Sequence, residues 1–398
     1  METELKPTEK LYDRDAYRTV FTAEVLRCTR GTAEGEFFVW LDRTLFFPEE
    51  GGQSPDRGVL GGFPVTDVQL SDGRIRHTVR GSFPEGSAVT GEIDWVHRFS
   101  NMQQHSGEHM FSGLVYRRFG FSNVGFHLSD SCVTMDFGGA FSYEAAQEIE
   151  DAVNAAIWDD TEISARYVPK EELAGISYRS KKEIEGDVRL VTIYGKEGVL
   201  DVCACCAPHV KRTGEIGCLR IVSFENYKGG VRIGILCGKR ALSDMKRKQD
   251  SLDGICRLLS VNTDRAGEAA EQLVSRLKQA EYELTGFRRE RILREADSLP
   301  EDRLPVLFFE NADTDGLRLA VNRLTEKRSG ISAAFSGSDG EFRFLLGSRD
   351  TDVRPLGELL KSRFPAKGGG KAGMVQGSLT AEKTELIRVL TEYFGGVS

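Results

Sequence analysis

The chain begins with a segment in which apolar and polar residues alternate with a period of two. The alternating positions include Ile75, His77 and Val79 in one run and Val89, Gly91, Ile93 and Trp95 in another. This period, punctuated by Gly and Pro, is typical of half-buried β-strands. It predicts an all-β opening unit, a small barrel or curled sheet, over residues 1–96.

From Phe99 the pattern changes to a mixture of helical and strand periods. A helix is predicted over residues 101–119, and Ser142 is placed to cap a second helix. Strands are expected at 133–137, 188–193, 220–224 and 231–236. The last two are expected to pair as a hairpin, because a short turn rich in Gly separates them. Together these elements predict a mixed α/β domain over residues 97–238.

Residues 239–299 are polar and helical, with apolar residues recurring at spacings of three and four. The recurring positions are Ala270, Leu273, Leu277, Ala280, Leu284 and Phe287. This spacing is typical of a heptad seam. We therefore predict an antiparallel helical hairpin that serves as a spacer or as a dimerisation arm, so a homodimer is one possibility.

A further unit is predicted after Pro300. Strands are expected at 306–310, 331–335 and 342–346, with a helix at 316–327 and two more helices near the end. Between those last helices lies a run of three glycines flanked by Lys367 and Lys371. Residues 300–398 are thus a separable α/β domain. The fold class predicted for the whole chain is α+β.

The composition is that of a protein that buries cores in water. The chain has 398 residues, of which 40% are hydrophobic and 29% are charged. No run reaches the roughly 18 apolar residues that a membrane span needs, and the first ten residues are charged where a signal peptide is apolar. We expect a cytoplasmic protein with no membrane partner.

The net charge and the positions of the cysteines limit the kinds of partner and of site that the chain can have. The net charge of -8 excludes a uniformly basic nucleic-acid coat, so any RNA would be held by local basic patches. The 8 cysteines are scattered except for Cys203, Cys205 and Cys206. This arrangement differs from the disulfide framework of a small secreted scaffold and predicts a reduced protein with one thiol-rich site.

Two motifs with matched spacing predict a metal site. His105 and His109 are four residues apart on the predicted helix, so both rings project from one face. Cys205 and His209 have the same separation. Imidazole and thiolate are ligands that zinc prefers, and these four side chains predict one zinc ion. Cys203 is an alternative thiolate.

The first motif allows another interpretation. His105, Glu108 and His109 also fit the H-x-x-E-H pattern of zinc peptidases, in which the glutamate is the general base. Such peptidases take a carboxylate as the third ligand, whereas a cysteine and a histidine are expected here. We interpret Glu108 as a solvated or salt-bridged helix residue. A non-catalytic protein with a structural zinc is a third possibility.

An ordered series of motifs resembles the alanyl-tRNA editing hydrolases, which are related to the editing and C-terminal domains of alanyl-tRNA synthetase. The matching stretches are 42–58 with its Gly-Gly-Gln and Asp-Arg-Gly, the H-x-x-x-H at 105–109, the C-x-x-x-H at 205–209, the entry to the helical arm at 238–242, and the glycine-rich run with its following Gln-Gly at 367–377. The resemblance covers nearly the whole chain in the family's order.

The resemblance implies a function and a set of site residues. It implies zinc-dependent hydrolysis of Ser-tRNA or Gly-tRNA charged on the alanine tRNA. It places Thr44 at the amino-acid side chain, although an exposed strand hydroxyl is the alternative, and it places Gly51, Gly52 and Gln53 in a turn close to the terminal adenosine. It identifies 300–398 as a DHHA1-type tRNA-binding domain with contacts from Lys367, Gly368, Gly369, Gly370 and Lys371.

The sequence departs from the family in the loop between the second pair of ligands. The family commonly has Cys-Gly-Gly-Thr-His, whereas this chain has Cys-Cys-Ala-Pro-His. The ligands are kept, but Pro208 offers no backbone N–H, so substrate placement differs in this loop. The DHH phosphoesterase motifs are also missing, so nuclease activity is not expected.

Selectivity is the chemical reason for such an enzyme. A pocket that accepts a methyl side chain discriminates against glycine or serine by only about 1–3 kcal/mol, so a second hydrolytic site is needed. Zinc can activate water and polarise the carbonyl, or orient the substrate. The sequence leaves open which role applies and whether serine or glycine is preferred.

Overall fold

The computed structural model describes residues 6–180 and 186–395. It divides into one compact unit up to Ser251 and another from Leu252 onward. Both contain helices and sheets, so the predicted α+β class is confirmed. Within the described residues no helix is both long and apolar enough to span a membrane.

The N-terminal part of the first unit is built almost entirely of strands. Its elements are β1 (Glu9–Lys10), α1 (Leu11–Arg14), β2 (Val20–Arg30), β3 (Phe37–Leu41), β4 (Arg43–Thr44), β5 (Gly58–Leu60), β6 (Phe63–Ser71), β7 (Arg74–Val79) and β8 (Ala88–Ile93). Six of the strands close in the order β2-β3-β7-β6-β5-β8, and each neighbouring pair is antiparallel. Alternate residues of these strands fill the interior, as the period of two predicts.

The strand expected to run through Trp95 ends earlier. Strand β8 ends at Ile93, and Trp95 is the first residue of a helix. Asp94 caps that helix by accepting a hydrogen bond from the backbone N–H of His97. The expectation that Trp95 belongs to the strand is therefore wrong, because the cap begins the helix before the alternation of apolar residues has ended.

The rest of the first unit surrounds one long helix. Its elements are α2 (Trp95–Phe119), β9 (Asn123–Leu128), β10 (Val133–Phe137), α3 (Tyr143–Trp158), β11 (Ile163–Val168), β12 (Val188–Gly195), β13 (Gly198–Ala204), β14 (Leu219–Tyr227), β15 (Gly230–Cys237) and α4 (Gly238–Leu259), which continues past the boundary between units. They form a four-stranded antiparallel sheet, β14-β15-β10-β9, and a three-stranded one, β11-β12-β13.

Two local predictions in this part are confirmed. Ser142 caps α3, since its side chain accepts from the backbone N–H of Ala145. Strands β14 and β15 pair as the expected hairpin. Helix α2 is buried over most of its length, including its polar residues. A Cβ at Gly107 would lie 2.3 Å from Cys237 Sγ, so glycine lets α2 pack closely against β15.

The second unit contains one five-stranded sheet. Its elements are α5 (Ala266–Ser298), β16 (Val306–Phe309), α6 (Thr314–Lys327), β17 (Ser332–Ser338), β18 (Glu341–Gly347), α7 (Arg354–Arg363), β19 (Ala366–Lys371), β20 (Met374–Leu379) and α8 (Lys383–Gly395). The strand order is β16-β17-β18-β20-β19, and only β16 and β17 are parallel. Strands β19 and β20 were not predicted, because a run of glycines and lysines lacks the apolar alternation of a strand.

The predicted seam along α5 is exposed. Leu273, Leu277, Leu284 and Phe287 expose 53%, 58%, 48% and 68% of their surface. By contrast, Ile292 and Ala296 near the end of α5 are buried against α6. The C-terminal part of α5 therefore belongs to the core of the second unit. The antiparallel hairpin and the homodimer stay predictions.

Candidate metal centre

Four side chains from two elements converge inside the first unit. Helix α2 supplies His105 and His109, one turn apart, and the loop after β13 supplies Cys205 and His209. The potential ligand atoms of all four lie within 4.8 Å of one another. The structure thus brings together the four residues that the matched spacings single out.

The three imidazoles share one arrangement, in which Nδ1 faces another protein group. His105 Nδ1 lies 2.7 Å from Gln53 Oε1, and His209 Nδ1 lies 3.0 Å from Ser106 Oγ. His109 Nδ1 lies 3.6 Å from Asp201 Oδ2. Hydrogen bonding at one ring nitrogen fixes the tautomer and leaves the other nitrogen to a metal, as is usual for histidine ligands. This arrangement leaves three Nε2 atoms as the available donors.

The thiol of Cys205 completes the donor set. Its Sγ lies 3.6 Å from His105 Nε2 and 3.4 Å from His209 Nε2. Cys203 is buried in β13 and groups instead with His109 and Asp201. Of the two thiols, Cys205 is therefore the one that lies among all three histidines.

Burial sets the protonation of these groups in the absence of a cation. It raises the pKa of Cys205 well above its ordinary value and lowers the pKa of His209 well below its own. A divalent cation at the centre favours the thiolate and the neutral imidazole. Three imidazole nitrogens and one thiolate are a donor set that four-coordinate zinc takes, so the residues present fit that metal.

The Gly-Gly-Gln stretch lies directly against this cluster. Gly51 and Gly52 have φ values of 63° and 86°, so they form the predicted turn, and a Cβ at Gly52 would lie 2.5 Å from the carbonyl oxygen of Phe126. The turn directs Gln53 inward, where it is 1% exposed and contacts His105. Gln53 Nε2 has no hydrogen-bond partner among the residues that the structure describes.

Comparisons with known proteins point to one family. Residues 188–233 match the family model described as the threonyl and alanyl tRNA synthetase second additional domain. The chain is 26% identical to the alanyl-tRNA editing protein Aarsd1 of Mus musculus, over 96% of this chain and 97% of that protein. It is also 26% identical to the alanyl-tRNA editing protein AlaX-L of Pyrococcus horikoshii, over 96% of this chain and 98% of that protein. The resemblance to the alanyl-tRNA editing family is confirmed.

A longer relative shows the same similarity over part of its length. The chain is 29% identical to the alanine--tRNA ligase of Pyrococcus abyssi, over 94% of this chain but 42% of the ligase. The alanyl-tRNA editing proteins are thus matched nearly end to end, and the ligase in less than half.

The loop that departs from the family pattern keeps one donor near the thiol. The backbone N–H of Ala207 lies 3.4 Å from Cys205 Sγ. Pro208 offers no N–H, so Ala207 supplies the backbone contact to sulfur within this loop.

Arg189 holds the same loop in place. Its Nη1 donates to the carbonyl oxygens of Cys205 and Ala207, both at 2.9 Å. Its Nε lies 3.4 Å from Asp13, whose carboxylate also accepts from the hydroxyl of Tyr167. Sequence reasoning missed this group, because Arg189 is distant in sequence from Asp13 and neither lies in a recognisable motif.

A second pair of charges supports His109. Both carboxylate oxygens of Asp201 accept from Arg179 at 2.7 Å. Burial by itself would raise the pKa of Asp201, but the hydrogen bonds from Arg179 and the neighbouring His109 ring hold it below its ordinary value. The carboxylate therefore stays ionised beside His109 Nδ1. Neither Asp201 nor Arg179 was predicted from the sequence.

Glu108 is buried rather than solvated. It is 2% exposed, and its Oε1 accepts from Ser112 Oγ at 2.6 Å and from Asn123 Nδ2 at 2.5 Å. Its Oε2 lies 3.8 Å from His109 Nε2. Of the two alternatives, solvated or salt-bridged, the solvated one is wrong, because α2 is enclosed on this side by β9 and β10. The carboxylate serves as an acceptor for two neighbouring side chains.

Thr44 lies in the core of the barrel. It is 0% exposed; its hydroxyl lies 2.9 Å from His77 Nε2 and accepts from the backbone N–H of Phe46 at 3.1 Å. The alternative interpretation of Thr44 as an exposed strand hydroxyl is wrong, because β4 pairs with β1 and lies against the buried His77 ring. Thr44 is not part of the group of ligand atoms around Cys205.

His77 predicts a pH-dependent stability. Burial lowers its pKa to about 4 from an ordinary 6.5. As the pH falls from 6.5 toward 4, the unfolded chain gains a proton that the folded chain does not. We expect the free energy of unfolding to fall by about 3 kcal/mol through this group over that window. Stability is fully retained above the unfolded pKa.

Denaturant unfolding at pH 7 and at pH 4.5 checks this expectation. The comparison is between the native chain and His77→Gln, which keeps a polar side chain but does not titrate. The difference in stability between the two pH values should be smaller in the variant. Equal differences in both chains would contradict the assignment to His77.

The glycine-rich run lies in the second unit. Residues 367–371 belong to β19, an edge strand whose residues from Lys367 to Lys371 are exposed. Sequence analysis placed this run between two helices but did not predict that it forms a strand.

Proposed function

We propose that this chain is a zinc-dependent hydrolase that deacylates Ser-tRNA and Gly-tRNA charged on the alanine tRNA. The observation that carries the proposal is the convergence of His105, His109, His209 and Cys205, whose potential ligand atoms lie within 4.8 Å of one another, with Gln53 of the Gly-Gly-Gln turn against His105. Similarity to proteins named alanyl-tRNA editing proteins along nearly the whole chain supports the choice of substrate.

His105, His109, Cys205 and His209 would hold the zinc ion. A bound zinc would supply polarisation of the ester carbonyl and acidification of water. Gln53 would fix the ring of His105 through Oε1 and present Nε2 as a hydrogen-bond donor to the substrate. Gly51 and Gly52 would let the terminal adenosine approach the turn. Asp201 and Ser106 would orient the other two imidazoles.

We propose that Lys367 and Lys371 contact tRNA together with the three glycines between them. The edge position of β19 leaves its backbone accessible, and nothing lies within 4 Å of the Cβ position of Gly369. Glycine has no side chain, so a phosphate or a base can approach the backbone closely, while the lysines offset the phosphate charge. This is the tRNA-binding role that a DHHA1-type domain would have.

The decisive experiment is an assay of purified protein on four kinds of substrate. We expect hydrolysis of Ser-tRNA and Gly-tRNA charged on the alanine tRNA, sparing of the correctly charged Ala-tRNA, and no cleavage of a peptide panel. Peptide cleavage would instead favour the zinc peptidase. A zinc-loaded protein that binds tRNA but hydrolyses none of these substrates would favour a structural zinc.

Glu108 is expected not to be the general base. Glu108→Gln keeps an acceptor for Ser112 and Asn123, and the activated ester needs no strong base, so we expect less than about a tenfold loss in the rate of Ser-tRNA hydrolysis. The measurement is kcat at equal zinc content. A loss on the order of a thousandfold with zinc retained would assign the base to Glu108.

Thr44→Val is expected to affect stability rather than selectivity. The variant keeps the shape of the side chain but leaves His77 Nε2 and the Phe46 N–H without the hydroxyl. We expect the free energy of unfolding to fall by about 1–3 kcal/mol, since buried polar groups lose their partner. The ratio of Ser-tRNA to Gly-tRNA hydrolysis should stay constant. A changed ratio at unchanged stability would place Thr44 at the substrate side chain.

A further inference from the structure

The second unit contains a cavity of about 1080 Å³ that none of residues 367–371 lines. Its walls come from α5, from the segment after β16, from the first part of α6, and from the ends of β17 and β18 that face each other across their turn. Strands β16 and β17 are parallel, so their carboxyl ends lie at the same edge of the sheet. That edge is where α/β sheets usually bind ligands.

Five arginines line this cavity. They are Arg288, Arg289, Arg291, Arg318 and Arg343. Arg291 lies 3.7 Å from Glu295 and Arg318 lies 3.8 Å from Asp315, and both pairs are exposed, so each is weak. Within residues 6–180 and 186–395, the other three side chains make no ion pair or hydrogen bond. They are therefore available to an anionic ligand.

The cavity also has hydrogen-bond acceptors. Of its acidic residues, Asp313 caps α6 by accepting from the backbone N–H of Gly316 at 2.7 Å, and Asp315 pairs with Arg318. Glu310 and Glu341 make no side-chain contact of this kind with the described part of the chain. Asn311 and Asn322 add amide groups. The lining thus suits a ligand that carries both an anionic group and N–H donors.

We infer that this cavity binds an unpaired nucleotide of an RNA strand. The guanidinium groups of Arg288, Arg289 and Arg343 hold its phosphates, because arginine pairs with phosphate through parallel N–H donors. Glu310 and the two asparagines accept from and donate to the edge of the base. A recess of this size admits a splayed-out nucleotide but not a base-paired helix, and RNA is commonly recognised through such unpaired bases.

The charged and polar lining indicates a nucleoside phosphate as the ligand. That this nucleotide belongs to an RNA strand rests on the proposed function. No residue of β19 lines the cavity, although Arg343 in the cavity wall and Lys367 in β19 both pair with Ser378 of β20. R288Q/R289Q changes α5 alone and leaves the lysines of β19 in place.

The test measures binding of uncharged alanine tRNA to the full-length protein. R288Q/R289Q removes two cavity arginines, and R276Q/K278Q removes two exposed charges from the same helix outside the cavity. We expect R288Q/R289Q to raise Kd on the order of tenfold and to reduce the slope of log Kd against log salt by about 2. The control pair should change both quantities much less.

Two further measurements distinguish binding in this cavity from nonspecific attraction of tRNA by positive charge. S338W adds a bulky side chain to the cavity wall without changing charge and should weaken tRNA binding in the same direction as R288Q/R289Q. Equal tRNA affinity of R288Q/R289Q and R276Q/K278Q, or unchanged affinity of S338W, would overturn the inference. Binding of AMP to the native protein and to R288Q/R289Q is measured alongside. If R288Q/R289Q lost AMP binding but kept its tRNA affinity, the inference of an RNA nucleotide would be overturned and the ligand would be a free nucleotide.

These outcomes do not depend on hydrolysis. Binding is measured with uncharged tRNA, so a chain without deacylase activity still gives a result for the cavity. Conversely, an active deacylase with the same tRNA affinity in R288Q/R289Q and R276Q/K278Q would leave the proposed function standing while overturning the cavity.

Discussion

Cys205→Ala combined with His209→Ala is expected to remove zinc from the protein and to slow Ser-tRNA hydrolysis by on the order of a hundred- to a thousandfold. The two substitutions delete the thiolate and one of three imidazoles, leaving only His105 and His109. A metal acting on the carbonyl contributes several kcal/mol, and about 1.4 kcal/mol corresponds to a tenfold change in rate. Metal analysis and single-turnover hydrolysis give the two readouts.

Neighbouring thiols provide matched controls. Cys206→Ala changes the next residue of the same loop, and Cys203→Ala changes the thiol that groups with His109 and Asp201. Both should retain one zinc per chain. If Cys203→Ala lost the metal while Cys205→Ala kept it, the thiolate ligand would be Cys203. Full zinc content in the double variant would refute the proposed centre altogether.

Arg98→Met is expected to destabilise the first unit by about 3–5 kcal/mol, because it leaves the carboxylate of Asp56 buried and unpaired. Both side chains are 0% exposed, and Arg98 Nε lies 2.9 Å and 3.0 Å from the two oxygens of Asp56. Arg98 also donates to the carbonyl oxygens of Leu45 and Ala16. The pair joins the barrel to helix α2, which carries His105 and His109.

The matched variant replaces both partners. Arg98→Met with Asp56→Leu removes the buried charge together with its counter-ion, and such paired apolar replacements recover much of the stability lost by the single change. The free energy of unfolding is measured from denaturant curves of the two variants and the native chain. Equal destabilisation by the single and the double variant would mean that the pair acts through shape rather than charge.

Local spacing was sufficient to predict much of the centre. The four-residue separation of His105 and His109 requires only that the segment be helical, since residues one turn apart share a face. Ser142 as a cap and the hairpin of β14 and β15 likewise depend on neighbouring residues. The Gly-Gly-Gln turn follows from glycines that adopt positive φ without strain. These features depend on short stretches of sequence.

The surroundings of the centre could not be predicted in this way. Arg189 lies in β12, Arg179 in the segment between β11 and β12, and Asp201 in β13. Only the packing of these elements brings the three side chains to the ligands. A solvated Glu108 and an exposed Thr44 hydroxyl were each one of two alternatives, yet both side chains are buried, because burial depends on which sheets pack around α2 and β4. Such contacts join residues far apart in the chain, so no local pattern encodes them.

The sequence by itself determined the α+β class, several of the elements, and a candidate ligand set of His105, His109, His209 and a nearby thiol, because helical and strand periods and ligand spacing are properties of consecutive residues. Only the tertiary structure decided which ring nitrogen each histidine presents, that Cys205 rather than Cys203 lies among all three, and that β19 is an edge strand. It also decided that five arginines from α5, α6 and β18 line one cavity. In each case the physical reason is that long-range packing sets distance and burial, and these set the chemistry of a side chain.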